Sequence, residues 1–282
     1  MYKIFFGWIV CFELLGFHLS FAQQVSVPVI IRNTKVSIPN LYRMHLASDG
    51  GVIAGSFALI IVGQVLNGNK AKLIVSDLNN QSVIDHIPSF DKSAIHQHDK
   101  SFLVASDVLL YTSMSLPLIS FIDKRVSGHA PTILAMYFET LSIGAGLYSI
   151  TSGAINRRRP LTFNDSVPNS VRLGNRQQNS FFSGHTTIAA TACFFGARIF
   201  TDFRPYSKLT PYVWTAAAVV PAFVAFSRYK AGEHFPSDVV AGYVVGATVG
   251  YLVPALHKVS DERLVLSPIL GKESGISMVY NF

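Results

Sequence analysis

The chain has 282 residues, of which half are hydrophobic and only 14% are charged. Soluble globular domains carry about 25% charged residues, so this composition, with a mean hydropathy of +0.36, favours a membrane protein over a soluble all-helical domain with unusually apolar helices. The net charge of +7 does not indicate a nucleic-acid partner, because the arginines concentrate in one loop and no nucleic-acid-binding module is recognised.

The N-terminal residues 1–22 have the pattern of a signal peptide. Lys3 provides the positive start, an apolar stretch follows, and Ser20-Phe21-Ala22 resembles a small-residue cleavage site. The alternative is an anchor that is not cleaved. Residues 23–50 are polar and predict an irregular segment that leads into the first helix.

Six apolar segments follow and predict an all-α, membrane-embedded bundle of about six core helices within residues 51–258. The segments are 51–66, 102–122, 131–150, 186–200, 209–227 and 239–257. The last two each hold 19 uncharged residues, close to the ~20 that a membrane-spanning helix needs. Asp107 and Glu139 interrupt two of the segments, and we expect both to face the bundle interior because a lipid-facing carboxylate is costly.

Two further patterns concern architecture. Gly242, Gly246 and Gly250 recur every four residues in the last segment, which places them on one helix face and permits close helix packing. The C-terminal tail, residues 259–282, has two apolar stretches around a Gly-containing turn, which predicts a short β-hairpin.

Three clusters of polar residues lie at the ends of the predicted helices. The first is Arg157-Arg158-Arg159-Pro160, which is either a solvated face or a set of guanidinium groups that grip phosphate oxygens. The second is the segment 180–185, in which Ser183 and Gly184 begin a helix. Ser183 there is either a simple N-cap or part of a phosphate cradle made of backbone N–H groups.

The third cluster is Ser227-Arg228, then His234, then Asp238. It lies between the two most apolar segments, and Pro236 suits the first turn of the second of them. A lone histidine there would more often be structural. A carboxylate four residues later can orient the imidazole so that its other nitrogen is free to act as a nucleophile.

Together the clusters resemble the signature of the type 2 phosphatidic acid phosphatase superfamily. The family pattern is Lys-x6-Arg-Pro, then Pro-Ser-Gly-His, then Ser-Arg-x5-His-x3-Asp. This sequence has Arg159-Pro160, then the segment 182–185, Phe-Ser-Gly-His, and the complete third motif over 227–238. The resemblance covers roughly residues 100–257, and the third motif is its most specific part.

The resemblance implies a phosphatase that hydrolyses a phosphate monoester or diphosphate through a phosphohistidine. His234 would be the nucleophile, Asp238 would orient it, and His185 would protonate the leaving group and then activate water. The substrate phosphate would be bound by Arg159, Arg228 and the backbone N–H groups of Ser183 and Gly184. The family needs no metal or other cofactor.

One departure concerns the first motif. The family lysine falls at position 152, which is Ser152 here, so Arg157 or Arg158 would have to supply the missing charge. The other departure is Phe182 in place of the motif's proline, which changes only how the chain leads into the helix.

The expected substrate is a lipid phosphate in the membrane. The alternatives are a soluble secreted nonspecific acid phosphatase, a vanadate-dependent haloperoxidase, and a weakened, non-catalytic family member suggested by Ser152. If all six helices span, the loops that carry the clusters lie on one side. By analogy with the family we expect a bacterial inner-membrane protein whose site faces the periplasm, although a cleaved signal peptide followed by six spans would place the site inside.

Overall fold

The computed structural model describes residues 41–78, 81–259, 264–269 and 275–280. The predicted signal peptide lies outside the described residues. The helices are α1 Leu46–Gly68, α2 Gln81–Asp85, α3 Ser89–Lys92, α4 Lys100–Ser115, α5 Lys124–Ser127, α6 Ala130–Ala154, α7 Asn169–Arg172, α8 Gly184–Phe203, α9 Thr210–Lys230 and α10 Pro236–His257, with 3-10 turns at Val75–Asp77, Leu116–Ile122 and Pro160–Phe163.

Five of the described helices are long and apolar enough to cross a membrane: α1, α4 with the 3-10 turn after it, α6, α9 and α10. Many large apolar side chains on them, such as Ile61, Tyr111 and Phe223, are exposed on the outside of the bundle, as lipid-facing residues are. The sixth long helix, α8, packs against α6, α9 and α10. The predicted fold class, an all-α membrane-embedded bundle, is confirmed.

Helix α1 begins at Leu46, five residues before the apolar segment that predicts it. The cause is Asp49, whose carboxylate accepts a hydrogen bond of 2.5 Å from the backbone N–H of His45 and so stabilises the first turn. The polar lead-in therefore ends earlier than predicted, and α1 is 23 residues long rather than 16.

Glycines bring α1 and α6 into close, parallel contact. A Cβ added to Gly146 would lie 2.9 Å from the backbone oxygen of Ser56, and one added to Gly153 would lie 2.7 Å from that of Gly63. Seven residues separate the contacts on each helix, so the helices run in the same direction. The end of α1 therefore lies beside the end of α6.

The glycine face predicted in α10 packs against α8. A Cβ on Gly242, Gly246 or Gly250 would lie 2.6, 2.2 or 2.3 Å from a backbone oxygen of α8 or of its N-cap residue. This contact aligns the N-terminal end of α8 with that of α10, where two of the three polar clusters lie. At the C-terminus, β1 Leu264–Ile269 pairs antiparallel with β2 Gly275–Tyr280, so the predicted hairpin forms.

Candidate active site

The three polar clusters meet at one end of the bundle. The backbone N–H of Arg157 donates to the carbonyl of Gln178, which joins the first cluster to the segment before α8, at 3.2 Å. The N–H of Ser183 donates to the carbonyl of Asp238, which joins the second cluster to the third, at 3.1 Å. Folding therefore assembles residues that lie up to about 80 positions apart into one site.

His234 lies at the centre of this end of the bundle and is 1% exposed. Its Nδ1 lies 2.7 Å from the carbonyl oxygen of Ser180. A carbonyl only accepts, so Nδ1 carries the hydrogen and Nε2 keeps its lone pair. Burial lowers the pKa of His234 to about 3; Asp238 opposes this shift, while Arg159 and Arg228 add to it. The imidazole is therefore neutral at physiological pH, as a nucleophile must be.

Asp238 has a different contact from the one predicted. Its carboxylate lies 3.8 Å from Nδ1 of His234, too far for a hydrogen bond. Its oxygens instead accept from the Ser180 hydroxyl at 2.5 Å, from the backbone N–H of Phe235 at 2.9 Å and from Arg157. Ser180 thus makes the hydrogen bond that fixes the tautomer of His234, and Asp238 holds Ser180. The sequence marks Ser180 only by its position just before the second motif.

Arg159 and Arg228, the two arginines expected to bind phosphate, lie close together, and both are largely buried, at 9% and 4% exposed. The two guanidinium groups contact the same carboxylate oxygen of Glu233, at 3.1 Å for Arg228. The Nε atoms of both are buried without a hydrogen-bond partner in the part of the chain that the structure describes. Unsatisfied buried donors on two convergent cations provide a binding place for an anion.

His185 lies in the first turn of α8 and contacts α4. Its Nε2 is 2.9 Å from Oδ1 of Asp107, and the same oxygen is 3.9 Å from Arg228. Asp107 thus faces this site with a half-exposed side chain. Glu139, for which the same inward orientation was expected, is 3% exposed and lies 3.3 Å from His257 of α10. The contact with His185 was not predicted, because α4 carries none of the motifs.

Ser183 is the N-cap of α8, with its hydroxyl accepting from the N–H of Thr186. The N–H of Ser183 already donates to Asp238, and that of Thr186 donates to the hydroxyl of Ser183. The described backbone donors left for a phosphate at this helix end are therefore those of Gly184 and His185, in the first turn. A Cβ on Gly184 would lie 2.9 Å from the ring of Tyr148. Position 184 has no room for a side chain, because the ring of Tyr148 in α6 packs directly on its backbone.

Arg157 and Arg158 do not join the pair formed by Arg159 and Arg228 in the described structure. Arg157 binds Asp238 and, at 2.7 Å, Asp91. Arg158 donates to the backbone oxygen of Asp77 at 2.6 Å. Neighbouring residues of an extended segment point to opposite sides, which directs Arg158 away from Arg159. Neither guanidinium replaces the lysine missing at Ser152.

The ammonium group of Lys70 lies beside Ser152. Its Nζ is 2.5 Å from the carbonyl oxygen of Ser152 and 2.9 Å from that of Ile155, and it also contacts Gln178 at 3.1 Å and Asn179 at 3.0 Å. Burial lowers the pKa of Lys70. This residue follows α1, 82 positions before Ser152, so no motif could reveal it.

Parts of the chain are similar to known proteins. The model of the PAP2 superfamily matches residues 133–261. The chain is 40% identical to a lipid A 4'-phosphatase of Porphyromonas gingivalis over 83 residues, 29% of this chain and 32% of that protein. It is 26% identical to a lipid A 1-phosphatase of Rhizobium etli over 164 residues, 56% of this chain and 66% of that protein. The chain thus spans between one third and two thirds of the length of these relatives.

A solved structure, the first transmembrane PAP2 type phosphatidylglycerolphosphate phosphatase from Bacillus subtilis, is also similar. The match covers 71% of this chain and 94% of that one, with 20% sequence identity and a TM-score of 0.42. The family match includes all of the third motif and both histidines of the site. Residues 133–261 thus match the model of the PAP2 superfamily, the superfamily whose signature the three clusters resemble.

Proposed function

We propose that this protein is a membrane phosphatase that removes a phosphate group from a lipid through a phosphohistidine at His234. The observation that carries the proposal is the neutral, buried imidazole of His234 beside two buried arginines with unsatisfied Nε–H donors. The printed activities of the relatives, lipid A 4'-phosphatase and lipid A 1-phosphatase, make the phosphates of lipid A the first substrates to test.

In the proposed first step, Nε2 of His234 attacks phosphorus and the bond from phosphorus to the ester oxygen breaks. His185 donates its proton to the departing oxygen. Burial and then Arg228 lower the pKa of His185 to about 4, and Asp107, at 2.9 Å from Nε2, opposes this shift and so favours the charged form that the step requires. In the second step, water attacks the phosphohistidine, His185 takes the proton of that water, and inorganic phosphate leaves. Arg159 and Arg228 stabilise the charge on the phosphate oxygens in both steps.

Because Arg159 and Arg228 are assigned the stabilisation of charge on the phosphate oxygens, we propose a reaction that needs no metal. A soluble secreted acid phosphatase is a weaker candidate, since five described helices are long and apolar enough to span a membrane.

By analogy with the family, we also propose that the site faces the periplasm. Cysteine labelling from outside intact cells at the exposed Ser166, in the loop before α7, tests it.

The function is tested with the purified full-length chain in detergent. We expect phosphate release from a lipid phosphate in the presence of EDTA, inhibition by orthovanadate, and a loss of at least about a thousandfold in His234→Ala. His129→Ala, at the far end of α6, is the matched control and should keep normal activity. With substrate labelled in the phosphate, the wild type should carry an acid-labile covalent label that His234→Ala lacks. Normal turnover or persistent label in His234→Ala would contradict the mechanism.

A further inference from the structure

We propose that Lys70 is a positioning residue of this active site and takes the place of the lysine that the first motif lacks at Ser152. The inference rests on the proposed phosphatase function and adds a residue from outside the family match, which begins at residue 133. It also accounts for how a site without the motif lysine keeps an ammonium group next to the segments that carry its reacting residues.

The close packing of α1 on α6 is what delivers Lys70. The Gly63–Gly153 contact lets the two backbones approach, and one turn later Asn67 donates from Nδ2 to the hydroxyl of Ser152 at 3.1 Å. Ser152 is fully buried, and a lysine there and the ammonium of Lys70 would compete for the same space. The small side chain of Ser152 therefore leaves the space that the ammonium group of Lys70 occupies.

The oxygens around Nζ belong to two segments. Those of Ser152 and Ile155 are at the C-terminal end of α6, where carbonyls lack helical partners and the helix dipole is negative. Those of Gln178 and Asn179 are in the segment just before α8. The ammonium thus joins two polar segments that would otherwise place carbonyl oxygens close together without a donor.

The second of these segments reaches the reacting groups directly. Gln178 accepts from the N–H of Arg157 at 3.2 Å, and Gln177 accepts from the N–H of Arg159 at 2.8 Å. The next residue after Asn179 is Ser180, whose carbonyl holds Nδ1 of His234 at 2.7 Å. Lys70 touches neither His234 nor the arginine pair, so it acts by fixing the backbone that positions them.

The test moves the ammonium group from position 70 to position 152. Lys70→Met should lower kcat/KM for the lipid phosphate and weaken orthovanadate binding by between about tenfold and a hundredfold, as for a misplaced catalytic group. Lys70→Met combined with Ser152→Lys should regain most of both losses, since the lysine of the family position reaches the same oxygens. Lys72→Met, an exposed lysine two residues later, is the control and should behave as the wild type.

Vanadate binding is measured below the unfolding temperature of each variant, which separates positioning from general stability, because a merely structural loss lowers that temperature without changing the affinity of the folded protein. Unchanged vanadate binding in Lys70→Met would overturn the proposal. So would a double variant that binds vanadate no better than Lys70→Met, whether or not the single variant folds. Binding is measured by calorimetry without turnover. A wild type that binds vanadate but cleaves no lipid therefore contradicts the proposed function and leaves the role of Lys70 testable.

Discussion

Glu233 lies where Arg159 and Arg228 converge, one residue before the proposed nucleophile, His234. Its carboxylate oxygen contacts both Arg159 and Arg228, and its side chain is 13% exposed. A phosphate that enters the site has to compete with this carboxylate for the guanidinium groups. The residue therefore keeps two buried cations paired between turnovers, at the expense of affinity for the substrate anion.

This competition predicts the effect of removing one charge. Glu233→Gln keeps the shape of the side chain but not its negative charge, so we expect orthovanadate to bind about five- to tenfold more tightly, equivalent to about 1 kcal/mol. Calorimetry on the purified protein measures this. Asp85→Asn, an exposed acid in α2, is the control for net charge. Weaker binding in Glu233→Gln would instead show that the carboxylate is needed to hold the arginines in place.

Among elements, the contact between α8 and α10 decides the geometry of the site. Ser183 begins α8 and Asp238 lies in the first turn of α10, and the two meet through a backbone hydrogen bond of 3.1 Å. The three glycines of α10 allow this, because each faces a backbone oxygen of α8 or its N-cap with no room for a methyl group.

A single methyl group should therefore separate the two helices. In Gly246→Ala the new Cβ would meet the carbonyl oxygen of Thr187 at 2.2 Å, and we expect a loss of about 1–3 kcal/mol in the free energy of unfolding together with reduced activity. Gly55→Ala in α1 is the matched control, because nothing lies within 4 Å of its added Cβ. That change should be neutral or stabilising by up to about 1 kcal/mol. Equal thermal unfolding of both variants in detergent would contradict this account.

The elements and the site differ in how far sequence could predict them. The long helices can be predicted from the apolar segments. Short motifs in the sequence identify four residues of the candidate site, which are His234, His185, Arg159 and Arg228. Lys70, Asp107 and Ser180 are not identified in this way, because tertiary packing alone brings each of them to its partner. Their contacts depend on how closely α1, α4 and the segment before α8 pack against the motif residues. The spacing of residues along the sequence does not give the distance between packed elements.

Across the whole molecule, a second ionic cluster lies at the end opposite the active site and joins three helices. His257, the last residue of α10, places Nε2 at 3.5 Å from Asp49 of α1 and at 3.3 Å from Glu139 of α6. Its Nδ1 lies 2.8 Å from the carbonyl of Val253, which accepts its hydrogen. The imidazole therefore joins the first turn of α1 and the last turn of α10 to α6. The opposite ends of the three helices lead to Lys70, to Asp238 and to the arginine segment.

If the imidazole holds the two carboxylates together, its removal should cost stability without altering the chemistry of the site. We expect His257→Gln to lower the free energy of unfolding by about 3 kcal/mol, since it leaves two largely buried carboxylates unpaired. Glu139→Gln added to His257→Gln should recover part of the loss, because it removes one of the repelling charges. Vanadate affinity at 25 °C should stay that of the wild type in both variants, since the cluster lies away from the active-site ends of the helices.

One potential metal-ligand atom from each of Asp49, Glu139 and His257 lies within 4.8 Å of the other two, so EDTA is a necessary arm of the experiment. A wild type that loses the same stability in EDTA as His257→Gln does in buffer would show that a metal ion, and not the imidazole alone, joins these helices.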